Sequence, residues 1–334
     1  MPSSTLEIPI MTDRSVHPTS QLAVKISALT DVGRVRSGNE DNFLVIDLET
    51  GFTWTADSDP PENNPFTITP ADSGLLCAVS DGMGGAAAGE VASKLAVAWS
   101  GWIMSEACAH PDLKIYPFHE RLRLAIEQAN IQIAMAAEEA PEFSGMGATF
   151  TAAGIQGNSL TLAQVGDSRA YLIRNGHMVQ LTRDQSLVAQ LIEMGSITEE
   201  EAEFHPYRNV IMQALGANAW VEVAVQVINL CQGDLVLLCS DGLSGKVRKD
   251  QMQKLITEVS HDLRLGVRKL IYAANEAGGD DNITAVLLHF TGEHLPHPDG
   301  EPVTAPQSLE RDRSLPRRVE IQYVSPQESE STLE

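Results

Sequence analysis

Residues Leu75–Gly85 read LLCAVSDGMGG, an apolar run closed by an aspartate and a glycine-rich turn. Such a run predicts a buried strand with Asp81 at its end. An ionised carboxylate is costly to hold beside a core unless something neutralises it, and a metal ion is the usual partner. The pattern returns three times, at Asp167 in QVGDSRAYL, Asp241 in LLCSDGL and Asp281 in GGDDNITAV. For any one of these alone, a turn-capping aspartate bonded to its own backbone is the commoner reading. Four of them beside strongly apolar strands shift the weight to hard-metal ligation at one end of a sheet core. Carboxylate and carbonyl oxygens suit Mg2+ or Mn2+, whereas zinc would draw on His or Cys. His205 and His261 are not spaced as a ligand pair.

Composition narrows the function classes. The 334 residues carry a formal net charge of −22 and are 43% hydrophobic. That acidity argues against a nucleic-acid or anionic-membrane partner, since both require a basic face. A phosphorylated substrate would need cations or local arginines. Cys77, Cys108, Cys231 and Cys239 form no CxxC pair and sit among apolar residues, as free thiols of a reducing cytoplasm do. No run approaches the roughly 18 apolar residues of a membrane span. The N-terminus lacks the basic start and apolar stretch of a signal peptide. The expectation is a soluble cytoplasmic protein.

Along the chain, residues 1–22 read as a loose polar tail and 23–291 as one domain. Residues 292–334 turn rich in Pro, Glu and Ser and are expected to be disordered, with a short strand at Arg317–Val324 conceivable. Strands are expected at Ala23–Leu29, Phe43–Leu48 and Leu75–Asp81, and again from Gly147 to Leu181. Two helices lie between, near 86–109 with Val91, Leu95, Ala98 and Trp102 on one face, and near 118–139 with Leu122, Ile126, Ala129 and Ile133 on another. Both stripes read as core. Short helices at Ser186–Gly195 and Thr198–Glu203, strands at Val221–Leu230 and Asp234–Cys239, a helix at Leu263–Asn275 and a strand at Ile283–Phe290 complete the domain. Residues 49–73, containing PPENNP, read as a long loop insertion and not as a core element. Strands in clusters around a helix pair favour α+β with antiparallel sheets over βαβ alternation.

One motif is a decoy. Gly82-Met83-Gly84-Gly85-Ala86-Ala87 matches the dinucleotide fingerprint GxGxxA after a strand and before a helix. Asp81 immediately before it would set a negative charge near a pyrophosphate, and no βαβ unit precedes it.

Taken together, the residues resemble the metal-dependent Ser/Thr protein phosphatases of the phosphatase 2C type, in their bacterial form. TDVGRVRSGNEDN, VSDGMGG, SGMGATF, VGDSRAYLIRNG, LTRDQSLV, HPYRNVIMQALG, LLCSDGLSG and GGDDNITAV occur in family order between residues 30 and 286. The resemblance implies an αββα sandwich, two antiparallel sheets flanked by helix pairs, with a two-metal Mn2+ or Mg2+ site at one edge. It implies that Asp81 bridges both ions, that the Gly82 carbonyl binds one, and that Asp241 and Asp281 complete the other. Glu40 and Asp41 would hold metal-bound waters, Asp167 with Asp241 would offer a third, weaker site, and Arg36 would bind the substrate phosphate. The implied reaction is hydrolysis of phosphoserine and phosphothreonine in proteins by a hydroxide bridging the ions, opposing a cognate Ser/Thr kinase.

Elementary chemistry agrees with this assignment. Two divalent ions make water nucleophilic at neutral pH, so no phosphoenzyme is required. Arg36 offers a planar fork for two phosphate oxygens, which a lysine would not. Arg169 reads as a structural ion pair near Asp167, and Ser168 has no adjacent base to make it a nucleophile. The sequence departs from the family at three points. Met83 stands where eukaryotic relatives carry a histidine proposed as general acid, Gln185 replaces the usual His of TRDHS, and Ala148 replaces a Thr of MGTT. Two other readings share these residues: a catalytically silent phosphoprotein-binding domain, and a phosphatase of small phosphorylated metabolites. The intact set of Asp81, Asp241, Asp281 and Arg36 counts against the first.

Overall fold

The run Leu75–Val79 has no polar face because both of its faces are covered. Leu75, Cys77 and Val79 point into one apolar cluster and Leu76 and Ala78 into another. The period of two in a strand sends alternate side chains to opposite sides of a sheet, so a doubly buried strand must be apolar throughout.

The computed structural model describes residues 22–62, 64–300, 303 and 305–312. In chain order the first part runs β1 (Ala23–Asp31), β2 (Asp41–Asp47), β3 (Thr53–Thr55), β4 (Phe66–Ile68), β5 (Leu75–Met83), α1 (Ala86–Ala109), α2 (Pro111–Lys114) and α3 (Phe118–Glu139). Then come β6 (Gly147–Ala148), β7 (Phe150–Gln156), β8 (Ser159–Val165), β9 (Arg169–Arg174), β10 (His177–Gln180), α4 (Leu187–Glu193) and α5 (Glu199–Glu203). The chain continues with β11 (Ala224–Asn229), β12 (Leu235–Cys239), α6 (Asp241–Ser244), α7 (Lys249–Thr257), α8 (Leu263–Glu276) and β13 (Ile283–Thr291).

Two antiparallel sheets result, one in the order β10-β9-β12-β13-β1-β4 and the other β11-β8-β7-β5-β2-β3, with β6 paired to the end of β5. Val24, Ile26, Phe43, Val45, Val236, Leu238, Val286 and Phe290 fill the space between them. Helices α1 and α3 cover the second sheet through Ala92, Ala96, Ile103, Leu122, Ile126 and Ile133. Helices α7 and α8 cover the first through Met252, Ile256, Val267, Leu270 and Ile271. The layers are αββα, as the resemblance implied.

Three expectations need correction. On α1 the fully buried line is Ala88, Ala92, Ala96 and Ile103, whereas Val91, Leu95 and Trp102 are only partly buried and Ala98 is exposed. Small residues mark the closest approach of this helix, so the larger apolar side chains lie on its flanks. The 49–73 insertion is not peripheral, because β3 adds an edge to one sheet beside β2 and β4 an edge to the other beside β1. Trp54 and Ile68 reach the intersheet core, with Trp54 edge-on to Phe43 at 5.0 Å between ring centroids. Strands of three residues set among prolines and aspartates carry too little periodicity to show in sequence. The expected disorder after residue 291 also fails in part: residues 305–312 form no helix or strand, yet they bond to β11 and α3. Of the expected N-terminal tail, residues 1–22, only Leu22 is described, and it is buried; the rest of that tail and the Arg317–Val324 strand lie outside the described residues. Helix α7 went unrecognised between two turns.

Candidate metal centre

The acidic residues come together because strand ends come together. Asp41 and Asp81 face each other as register partners across β2 and β5. Asp241 lies two residues after the end of β12 and Asp281 two residues before the start of β13, and those strands are neighbours. Asp167 lies in the turn from β8 to β9, where the chain crosses from one sheet to the other. One end of the sandwich therefore receives carboxylates from both sheets.

Buried hydroxyls and amides hold these ends in place. The Asp81 N–H donates to Thr149 Oγ1 at 3.0 Å, and that hydroxyl is 2.7 Å from Ser168 Oγ, so the Asp81 strand is tied to the Asp167 turn. Ser240 Oγ donates to Asp41 Oδ2 at 2.6 Å and accepts from the Thr284 N–H at 3.0 Å. The Asn282 side chain accepts from the Glu40 N–H at 2.8 Å and donates to the carbonyls of Val32 and Gly38, both at 2.9 Å. It thereby fastens the loop that carries Arg36 and Glu40 to the strand that begins after Asp281. Thr149, Ser168, Ser240 and Asn282 were not singled out in sequence as supports. Their signal was a polar residue next to a candidate ligand at the end of an apolar run.

Gly82 is required by close approach. A Cβ there would stand 2.0 Å from the Gly89 carbonyl oxygen and 2.8 Å from that of Glu40. Gly89 in turn leaves room for the Glu40 carboxylate, 2.0 Å from where its own Cβ would be. The start of α1 thus packs directly on the strand end.

The electrostatics are those of crowded, desolvated acids. Burial, then the neighbouring Asp41, Asp241, Asp167 and Asp281, holds the Asp81 carboxyl well above the usual range. Asp41 is pushed up to about 7, mainly by burial, against the opposing bonds from Ser240 and Thr284. Asp167 is also pushed up to about 7, by burial first and then by Asp241 and Asp184, with Arg169 opposing. Asp241 is raised by burial and by Asp281, and a hydrogen bond shared with Asp81 partly offsets this. Burial likewise raises Glu40, against the pull of Arg36. One oxygen each of Asp41, Asp167 and Asp241 is buried without a hydrogen-bond partner.

Arg36 is the cation facing this cluster. Its guanidinium donates to Asp281 Oδ2 at 2.8 Å. Partial burial opposes its charge, but Asp281, Glu40 and Asp81 hold it protonated. Arg169 instead makes a three-bond pair with Asp184, at 2.6–3.0 Å, the structural ion pair expected near Asp167, with a partner that the sequence did not name. Ser168 is fully buried and engaged with Thr149. Met83 follows Gly82 and has no ionisable group to offer.

Orphaned buried oxygens, mutual repulsion and an all-oxygen donor set fit a hard divalent cation. Among the described residues no three acidic, His or Cys side chains already close on one point. The backbone assembles the set, and Asp281 is turned towards Arg36.

Residues 61–268 match the family model Protein phosphatase 2C. The chain belongs to that family. Over 78% of its length this phosphatase 2C chain is 37% identical to a serine/threonine phosphatase stp of Listeria welshimeri, covering 93% of that protein. It is 36% identical over 80% of its length to the serine/threonine protein phosphatase PstP of Mycobacterium tuberculosis, and spans 45% of that longer protein. The crystal structure of the PstP catalytic domain in complex with two manganese ions superposes with a TM-score of 0.62 at 34% identity, covering 81% of this chain and 99% of that one. Stp1 of Staphylococcus aureus superposes at 0.68 with 30% identity, covering 83% and 99% respectively.

Proposed function

We propose that this chain, a serine/threonine protein phosphatase of the 2C type, hydrolyses phosphoserine and phosphothreonine at the carboxylate cluster on the end of its sandwich. The observation that carries the reading is the cluster itself: carboxyls crowded until their acidity is suppressed, with the exposed Arg36 fork beside them. Asp81, the Gly82 carbonyl, Asp241 and Asp281 would hold two Mn2+ or Mg2+ ions, with Asp167 and Asp241 available to a third. Glu40 and Asp41 would orient water around them. When bound, such ions supply the positive charge that makes water nucleophilic and neutralises a phosphate.

The chain's own residues do the positioning. Arg36 sits half exposed on Asp281, so an incoming phosphate dianion can take over its fork through two parallel N–H bonds. Asn282 keeps the Arg36 loop at a set distance from the carboxylates. Ser240 leaves one oxygen of Asp41 free by occupying the other. Met83 cannot protonate a leaving group, so that proton must come from water or from another group of the site. The segment Leu187–Asn209 beside the site exposes Met194, Phe204 and Tyr207, surfaces suited to choosing among phosphoproteins. In this reading the protein opposes a Ser/Thr kinase in the cytoplasm; no helix among the described residues is long and apolar enough to cross a membrane.

The deciding assay measures hydrolysis of a phosphothreonine peptide, of p-nitrophenyl phosphate and of small phosphorylated metabolites with Mn2+, with and without chelator, alongside Asp81→Asn. Metal-dependent turnover of the peptide that is lost in the variant is expected. Absence of turnover with every divalent ion would point to the silent domain, and turnover of metabolites alone to the metabolite phosphatase.

A further inference from the structure

The segment after β13 makes contacts remote from the site. Strand β11 is a sheet edge, whose outward N–H and C=O groups need partners. Residues 308 and 309 provide them: the Leu309 N–H donates to the Val225 carbonyl at 2.6 Å, and the Val225 N–H donates to Ser308 Oγ at 3.0 Å. Arg123 of α3, only 4% exposed, donates one N–H to the Leu309 carbonyl at 2.9 Å and another to the Val223 carbonyl at 2.7 Å. Arg311 closes the contact with two bonds to Glu127 of α3, at 2.9 and 3.1 Å.

The loop ending at Val223 leads back to the cluster. Asn130 of α3 accepts from the Gly216 N–H at 2.8 Å and donates to the Asn218 carbonyl at 3.0 Å. Leu215 and Ala148 exchange backbone bonds of 2.8 and 3.1 Å, and Ala148 is the register partner of Gly82. One buried guanidinium thus grips both the C-terminal segment and a loop whose other end pairs with the strand that flanks Gly82.

We propose that residues 305–312 are a latch, seated in a groove between β11 and α3, which holds the 213–223 loop and through it the Gly82 carbonyl. The groove takes an extended segment that offers its backbone to Val225 and a guanidinium to Glu127, and this chain fills it with its own. Releasing the segment strips Arg123 of one acceptor, frees the β11 edge and loosens the loop. The link to Gly82 rests on the metal-dependent reading of the site; the link to the loop does not. Coupling of this kind is carried by contiguous bonds and has to be measured as coupling.

The test uses the full chain with Arg311→Ala and, as a milder change, Arg311→Lys, which keeps the charge but not the fork. Hydrogen exchange is followed at Leu309, Val225 and residues 213–218, and turnover is titrated with Mn2+. Loss of the two-bond pair is expected to speed exchange about tenfold at Leu309 and Val225 and measurably at 213–218. The Mn2+ concentration for half activation should rise several-fold, with turnover at saturating Mn2+ unchanged and Arg311→Lys in between. Faster exchange confined to 305–312, or none, overturns the latch. Faster exchange at 213–218 with an unchanged Mn2+ titration overturns its link to Gly82. A wild-type chain inactive with every ion refutes the metal-dependent reading instead, while the exchange data still decide whether the loop is latched.

Discussion

Asp167→Asn under chelation isolates the cost of gathering the carboxylates. Asp167 has its folded value raised from 3.8 to about 7, so between those values the folded protein holds more protons than the unfolded chain. Its stability is then full below the unfolded value and declines as pH rises towards 7. For a carboxyl shifted this far, linkage gives a loss of about 2 kcal/mol between pH 5 and pH 7. In a domain of this size that corresponds to about 4–8 °C in Tm. His289, held below its usual value by burial and Lys25, contributes with the opposite sign, gaining stability as pH rises. The quantity to read is therefore the wild-type Tm minus the variant Tm, in which His289 cancels. Measured calorimetrically in EDTA, that difference should become more negative by several degrees from pH 5 to pH 7. Adding Mn2+ at pH 7 should raise the wild-type Tm, because an ion that binds only the folded state stabilises it by mass action. A difference that does not change with pH would refute the claim that desolvation and crowding dominate this site.

Other outcomes follow from single residues. Arg36→Lys keeps the charge but not the fork, and should lower kcat/KM on a phosphopeptide about 10- to 100-fold, a loss of roughly 1–3 kcal/mol of charge-assisted hydrogen bonding. An unchanged value in steady-state kinetics would remove the phosphate role. Gly82→Ala forces a Cβ against the Gly89 and Glu40 carbonyls and should cost about 1–3 kcal/mol in denaturant unfolding, with weakened Mn2+ binding by calorimetry. Trp54→Ala should cost about 3–5 kcal/mol despite lying in a segment that reads as a loop, because its ring is buried between the sheets. A cost below about 1 kcal/mol, the range of surface substitutions, would return that insertion to the periphery.

Much was legible in the chain because strong local signals agreed. A doubly buried strand must be apolar on both faces, so Leu75–Val79, Leu235–Cys239 and Ile283–Phe290 announce themselves, and an aspartate closing such a run invites a functional question. The eight motifs in order supplied the αββα layers and the candidate residues. What local pattern could not carry was partnership. Arg169 reads only as an arginine beside an aspartate, and its fork goes to Asp184, fifteen residues away. Trp54, Ile68 and Leu309 sit in stretches without periodicity and are held by elements distant in sequence. That Asp41 and Asp81 oppose each other, that the strands carrying Asp241 and Asp281 adjoin, and that one oxygen each of Asp41, Asp167 and Asp241 is buried without a hydrogen-bond partner all depend on strand register and on the crossing of two sheets. Pair distances and desolvation belong to the assembled sandwich, and they are what gather four turn aspartates into one crowded, buried cluster.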